Sequence, residues 1–160
     1  MRGFVIAAFG LALMAACGPS QPAPQAPSAT APQSQTPDFA AQQARIAALA
    51  PPYNEASYEA GRRVFAQCRS CHTTAADGGN RVGPNLHGVF DRAAGAAPGF
   101  TYSQALQNAD FIWDAEHLDN WLANPQTFLP GNRMAFAGVR DAVQRRDVIA
   151  YLMVESQPAP

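Results

Sequence analysis

The 160-residue chain contains no lysine: all eleven basic side chains are arginine, set against twelve acidic ones for a formal net charge of −1. Near-neutral charge without any basic run lacks the electrostatic footprint of a nucleic-acid binder, which excludes that class of partner. Cysteine is scarce, at three residues, and so is histidine, also at three. A closed zinc site needs four ligands in paired spacing, and the chain offers one C-x-x-C pair and two histidines that stand alone, His87 and His117. No activated nucleophile, open metal site or phosphate-binding glycine loop is present either. Between Gly18 and Pro37 there is no charged or aromatic residue, but there are six prolines. Such a stretch cannot bury a core.

What is present begins with an export signal. Arg2 precedes about a dozen apolar residues and a small-residue cleavage region, a run shorter than the ~20 residues of a membrane-spanning helix. The segment L-M-A-A-C, residues 13–17, resembles a bacterial lipoprotein signal, with Met14 where leucine is commoner. That resemblance implies a signal over 1–16 and a lipidated Cys17 as the new N-terminus, on the periplasmic side of a bacterial membrane. An ordinary cleaved signal is the alternative. Residues 17–52 then read as a Pro/Gln/Ala-rich spacer, with room for a short helix over 38–50 that Pro51-Pro52 would stop and that has no assigned packing partner. The globular domain is expected over 53–155, followed by a tail over 156–160. Roughly 100 residues support one small core, which a large buried cofactor would help to complete.

The chemistry concentrates in Q-C-R-S-C-H, residues 67–72. Redox dithiol chemistry places its C-x-x-C after a strand in a βαβ pattern, whereas Y-E-A-G-R-R-V-F-A-Q ahead of Cys68 reads as a helix and leaves His72 unused. A covalent haem uses every residue: Cys68 and Cys71 each add to a vinyl group, and His72 becomes the proximal iron ligand. For the sixth iron position, Met1 and Met14 fall in the signal and Met153 in a helical stretch. Met134 lies in the proline- and glycine-punctuated loop F-L-P-G-N-R-M-A-F, which can fix a side chain outside a helix. Met134 is therefore the expected sixth ligand, and a thioether there raises the reduction potential.

C-R-S-C-H, G-P-N-L-H-G-V-F, A-P-G-F-T-Y-S, I-W, N-W-L-A-N-P, L-P-G-N-R-M-A-F-A-G-V and R-R-D-V-I-A-Y-L occur in the order and spacing of class I monohaem cytochromes c. The resemblance covers about residues 55–154. It implies an all-α fold of about three to five helices around one covalently bound haem c. It also implies that Gly61 and Phe65 meet the last helix, that the Pro84 carbonyl accepts the free ring N–H of His72, and that Arg92, Tyr102 and Trp113 serve the haem propionates. The chain departs from the family in three places. Trp121 stands where tyrosine is common near the methionine, Asn132 replaces a threonine but can still donate to a propionate, and Leu106 replaces an asparagine. His87 reads as a loop residue bonded to backbone, and His117 as a solvated residue on the polar side of a helix capped by Asp114.

Two strong ligands close the iron to substrate, so the expected role is electron transfer. The donor would be a quinol-oxidising cytochrome complex or a dehydrogenase, and the acceptor a terminal oxidase or similar protein. A dedicated subunit of one dehydrogenase, or a haem peroxidase or gas-binding protein, are the alternatives. Nine arginines against eleven acidic residues in 53–155 leave a formal −2, so strong steering by a basic ring is not expected, although Arg69 and Arg133 are placed to flank the haem edge.

Overall fold

The computed structural model describes residues 38–157. The expected signal, Cys17 and the spacer as far as Pro37 lie outside the described residues. From Asp38 onward the chain forms six α-helices: α1 (Phe39–Ala47), α2 (Tyr58–Phe65), α3 (Gln104–Gln107), α4 (Ala115–Ala123), α5 (Pro125–Phe128) and α6 (Ala142–Glu155), with a 3-10 turn at Tyr53–Glu55. Five of these helices fall within 53–155, in agreement with the expected all-α fold. Strand-like pairing among the described residues is limited to one isolated bridge, Ala93 with Ile112, and no described helix is long and apolar enough to cross a membrane.

Each helix begins on a side-chain oxygen that accepts an otherwise orphaned N–H: Asp38, Ser57, Ser103, Asp114, Asn124 and Asp141. In α2 the buried residues Tyr58, Gly61 and Phe65 share one face. That face crosses α6, which is buried nearly all round from Asp147 to Leu152 and is the central element of the core. At the crossing Gly61 has no room for a side chain, because an added Cβ would overlap the Asp147 carbonyl oxygen and lie 2.7 Å from Tyr151 Cβ. The Tyr151 ring fills the space beside it, with centroids 5.1 Å from Phe65 and 5.2 Å from Tyr58. On another side α4 buries Leu118, Trp121 and Leu122, and the Arg145 Nε to Asp119 Oδ1 ion pair at 2.8 Å ties it to α6.

Two boundaries differ from the sequence expectation. The segment read as spacer as far as Pro52 is, from Phe39, a docked helix. Ile46 is fully buried. Gln43 bridges the start of α2, donating to Ala56 O at 2.9 Å and accepting from Tyr58 N at 2.9 Å, while Arg45 donates to Val154 O at the end of α6 at 2.8 Å. Phe39, Ile46 and Leu49 are the only large apolar residues of this segment and give a weak periodic signal, so the complementary surface, with Phe39 edge-on to Tyr58 at 6.0 Å, is what reveals the docking. At the other end Ser156, placed in the tail, is fully buried. Its hydroxyl donates to Leu152 O at 2.6 Å and its carbonyl accepts from Gly88 N at 2.5 Å.

Candidate haem site

Just beyond α2 the chain turns on three successive hydrogen bonds, Cys68 N to Phe65 O (2.8 Å), Cys71 N to Cys68 O (3.0 Å) and His72 N to Cys68 O (2.9 Å). This turn sets both thiols and the imidazole on the wall of one cavity of about 730 Å³. His72 Nδ1 lies 2.8 Å from Pro84 O. A carbonyl only accepts, so Nδ1 carries the proton and Nε2 keeps the lone pair a metal requires. Gly83 presses on the ring from the side: an added Cβ would lie 2.8 Å from each ring nitrogen. Burial pushes the His72 pKa down, partly offset by the Pro84 hydrogen bond, which keeps the imidazole neutral and able to ligate.

The rival readings of C-x-x-C find no support here: the pair follows helix α2 rather than a strand of a βαβ unit. Burial, with a smaller contribution from Cys71, pushes the Cys68 thiol up to about 11, the opposite of the depressed value of a redox-active dithiol. Among the described residues no group of three or more His, Cys, Asp or Glu could hold a metal, which removes a zinc cluster.

The remaining expected residues, with one exception, line the same cavity: Pro84, Arg92, Tyr102, Trp113, Trp121 and Met134. Met153 does not; it packs against the core on α6. Arg92 is fixed by Nη1 to His87 O (3.0 Å) and Nη2 to Asn85 O (3.1 Å), so a cation stands on the wall beside the Tyr102 phenol, whose pKa burial raises. Trp113 and Trp121 meet edge to face at 5.4 Å, and Leu106 joins the apolar lining. A large, flat, mostly apolar group bearing two carboxylates therefore fits: apolar walls for its faces, and a cation with aromatic donors for its acidic edge.

Asn132 is the exception. It is buried but off the cavity, and its amide nitrogen is committed to Pro125 O (2.8 Å) and Leu129 O (2.9 Å), so the expected donation to a propionate is replaced by bonds within the loop. His117 also differs: it is half-buried, stacked flat on Phe111 at 4.8 Å and paired with Asp114 at 2.8 Å rather than solvated. His87 lies in its loop, as read, where it is its main chain that is held: its N–H donates to Asn85 Oδ1 at 2.7 Å and its carbonyl accepts from Arg92. Of the flanking arginines, Arg133 lines the cavity together with Arg81, whereas Arg69 stays outside and lends its carbonyl to Arg81. Sequence reasoning missed Gly83 as the packing partner of His72 and Gln126 as a contact of Met134; neither carried a local signal.

An all-helical domain with C-x-x-C-H and a methionine lining one cavity is a covalent haem protein of the electron-transfer class. Residues 58–154 match the family described as cytochrome c. Cytochrome c of Kluyveromyces lactis is 39% identical over 103 residues, which span 64% of this chain and 94% of that protein. Cytochrome c type-1 of Ascaris suum is 42% identical over 106 residues, 66% and 94% respectively. Among solved structures, cytochrome cH from Methylobacterium extorquens aligns with a TM-score of 0.57 at 40% identity, covering 60% of this chain and 96% of that one. The chain belongs to the cytochrome c family. It binds one haem c covalently through Cys68 and Cys71, and it is an electron carrier that acts with redox partners, not an enzyme.

Proposed function

We propose that this carrier holds its haem iron between His72 and Met134 and works as an exported protein, anchored through lipidated Cys17 to the periplasmic side of a bacterial membrane. It takes single electrons from a quinol-oxidising cytochrome complex or a dehydrogenase and passes them to a terminal oxidase or similar acceptor. The observation that carries the ligation is the shared cavity: Met134 lines it with His72, and Met153 does not. For export and anchoring the support is the sequence alone, Arg2, the apolar run and L-M-A-A-C. Because α1 is part of the folded domain, the spacer in this reading comprises residues 18–37.

Met134→Ala tests the ligation. A sulfur–iron bond in the ferric protein gives a weak near-infrared band, which this variant should lose and Met153→Ala should keep. The same variant should have a lower reduction potential and newly bind carbon monoxide when reduced, since the thioether's preference for ferrous iron is gone and the position is open. An unchanged spectrum and potential would refute Met134 as the ligand.

A further inference from the structure

Met134 sits in a stretch without helix or strand, residues 132–141, yet both of its main-chain polar groups are held. Its N–H donates to Asn132 Oδ1 at 2.9 Å. Its carbonyl accepts from Gln126 Nε2 at 3.0 Å and from Phe136 N at 3.0 Å. Gln126 Nε2 also reaches Asn132 Oδ1 at 3.2 Å, and Asn132 Nδ2 donates to Pro125 O and Leu129 O. Asn132 is only 7% exposed, and all four of its hydrogen-bonding capacities are used. No other side chain of that size both accepts twice and donates twice: aspartate cannot donate, and a hydroxyl donates once.

We propose that Asn132 and Gln126 are positioning residues for Met134. They bolt its main chain to α5 so that the thioether stays at the cavity and yields slowly to competing ligands. The proposal rests on the reading of Met134 as the sixth iron ligand, and it assigns Asn132 a duty other than meeting a propionate. Restraint matters because a loop has no helical ladder of its own. Each net hydrogen bond lost should ease displacement of the methionine roughly two- to tenfold.

The test is carbon monoxide binding to the reduced full-length haem protein, with the near-infrared band of its oxidised form, in wild type, Asn132→Ala, Asn132→Asp, Gln126→Ala and a remote control, Gln43→Ala. The control removes two hydrogen bonds at α1 and touches nothing near Met134. Asn132→Ala and Asn132→Asp should bind carbon monoxide about tenfold faster with a weakened band, and Gln126→Ala a few-fold faster. Gln43→Ala should match wild type at the haem while unfolding more easily. Wild-type rates and band in all the loop variants would overturn the proposal, as would equal acceleration in Gln43→Ala. If Asn132→Ala does not accumulate as haem protein, exposed Gln126 gives the same reading. Failure of the underlying ligation would look different: Met134→Ala would then leave the band and the binding rate as they are in wild type.

Discussion

Gly61→Ala sets two opposed effects against each other, and the structure decides the sign. Alanine in a helix interior is favoured over glycine by about 1 kcal/mol, so an exposed position would gain stability. At Gly61 the new methyl would overlap the Asp147 carbonyl oxygen and sit 2.7 Å from Tyr151 Cβ, where carbon atoms ordinarily rest about 3.5–4.0 Å apart. Neither neighbour can yield cheaply. The Asp147 backbone lies in the middle of α6, and Tyr151 is wedged between Tyr58 and Phe65. The helices must therefore part, which strains the Ser57 N to Asp147 Oδ1 bond of 3.1 Å. Overpacking of this kind costs about 1–3 kcal/mol and more when the backbone is the obstacle. Net of the propensity gain, we expect a loss of about 2 kcal/mol, or roughly 10 °C in Tm for a domain of this size. Guanidinium unfolding of the oxidised haem protein measures it. A variant that is more stable by about 1 kcal/mol would show that propensity wins and that the helices are not in the contact described.

Ile46→Ala should lower stability by about 2–4 kcal/mol if α1 is an integral element, and a change under about 0.5 kcal/mol in denaturant unfolding would return α1 to the spacer. Asp114 accepts hydrogen bonds from the His117 backbone and ring, which hold its carboxyl below the ordinary value. Its contribution is then complete above the unfolded carboxylate pKa of about 3.9 and is lost as pH falls through the lower folded value, so Asp114→Asn, which keeps the cap, should flatten the decline in stability below about pH 4 while leaving pH 7 stability nearly unchanged. Cys17→Ser should release the haem protein into the soluble periplasmic fraction; a variant that sediments with membranes as firmly as wild type would refute lipid anchoring.

Much of the site is legible in the sequence because its chemistry is contiguous. Two thioethers and a proximal ligand must sit within one turn, and C-R-S-C-H places them there. The cavity position of Met134, the sixth ligand of the proposal, is suggested for a related reason: Pro130 and Gly131 exclude a helix, so a methionine just beyond them is not explained as helix packing. The parts that were not legible depend on partners far along the chain. Arg45 meets Val154, 109 residues away, and no window of sequence contains both. His117 reads as polar beside Asp114, but its ring finds the face of Phe111 only once the loop ahead of α4 folds back. Asn132 was assigned by its place in a motif, and it is the carbonyls of Pro125, which also accepts the Leu129 N–H, and of Leu129, just past a four-residue helix, that claim its amide.

The two cavity-lining segments that carry His72 and Met134 are built by different means from one support. On the histidine side the turn of residues 68–72 continues directly from α2, and α2 is keyed to α6 at Gly61 and clasped by α1 through Gln43. On the methionine side α5 follows α4 with a single residue, Asn124, between them, and α4 is pinned to α6 by Asp119 and Arg145. Helix α6 itself supplies Val148 and Leu152 to the cavity. His72 and Met134 can therefore move relative to each other only if α6 slips against α2 or α4, or if the loop bonds of Met134 break. The first two events require a packed core to open, which is costly. The third requires only the loss of a few hydrogen bonds around Asn132 and Gln126, with no packed helix pair to separate. The Met134 segment is thus the softer one, so under the proposed ligation Met134 is displaced first, without unfolding of the domain, and His72 stays.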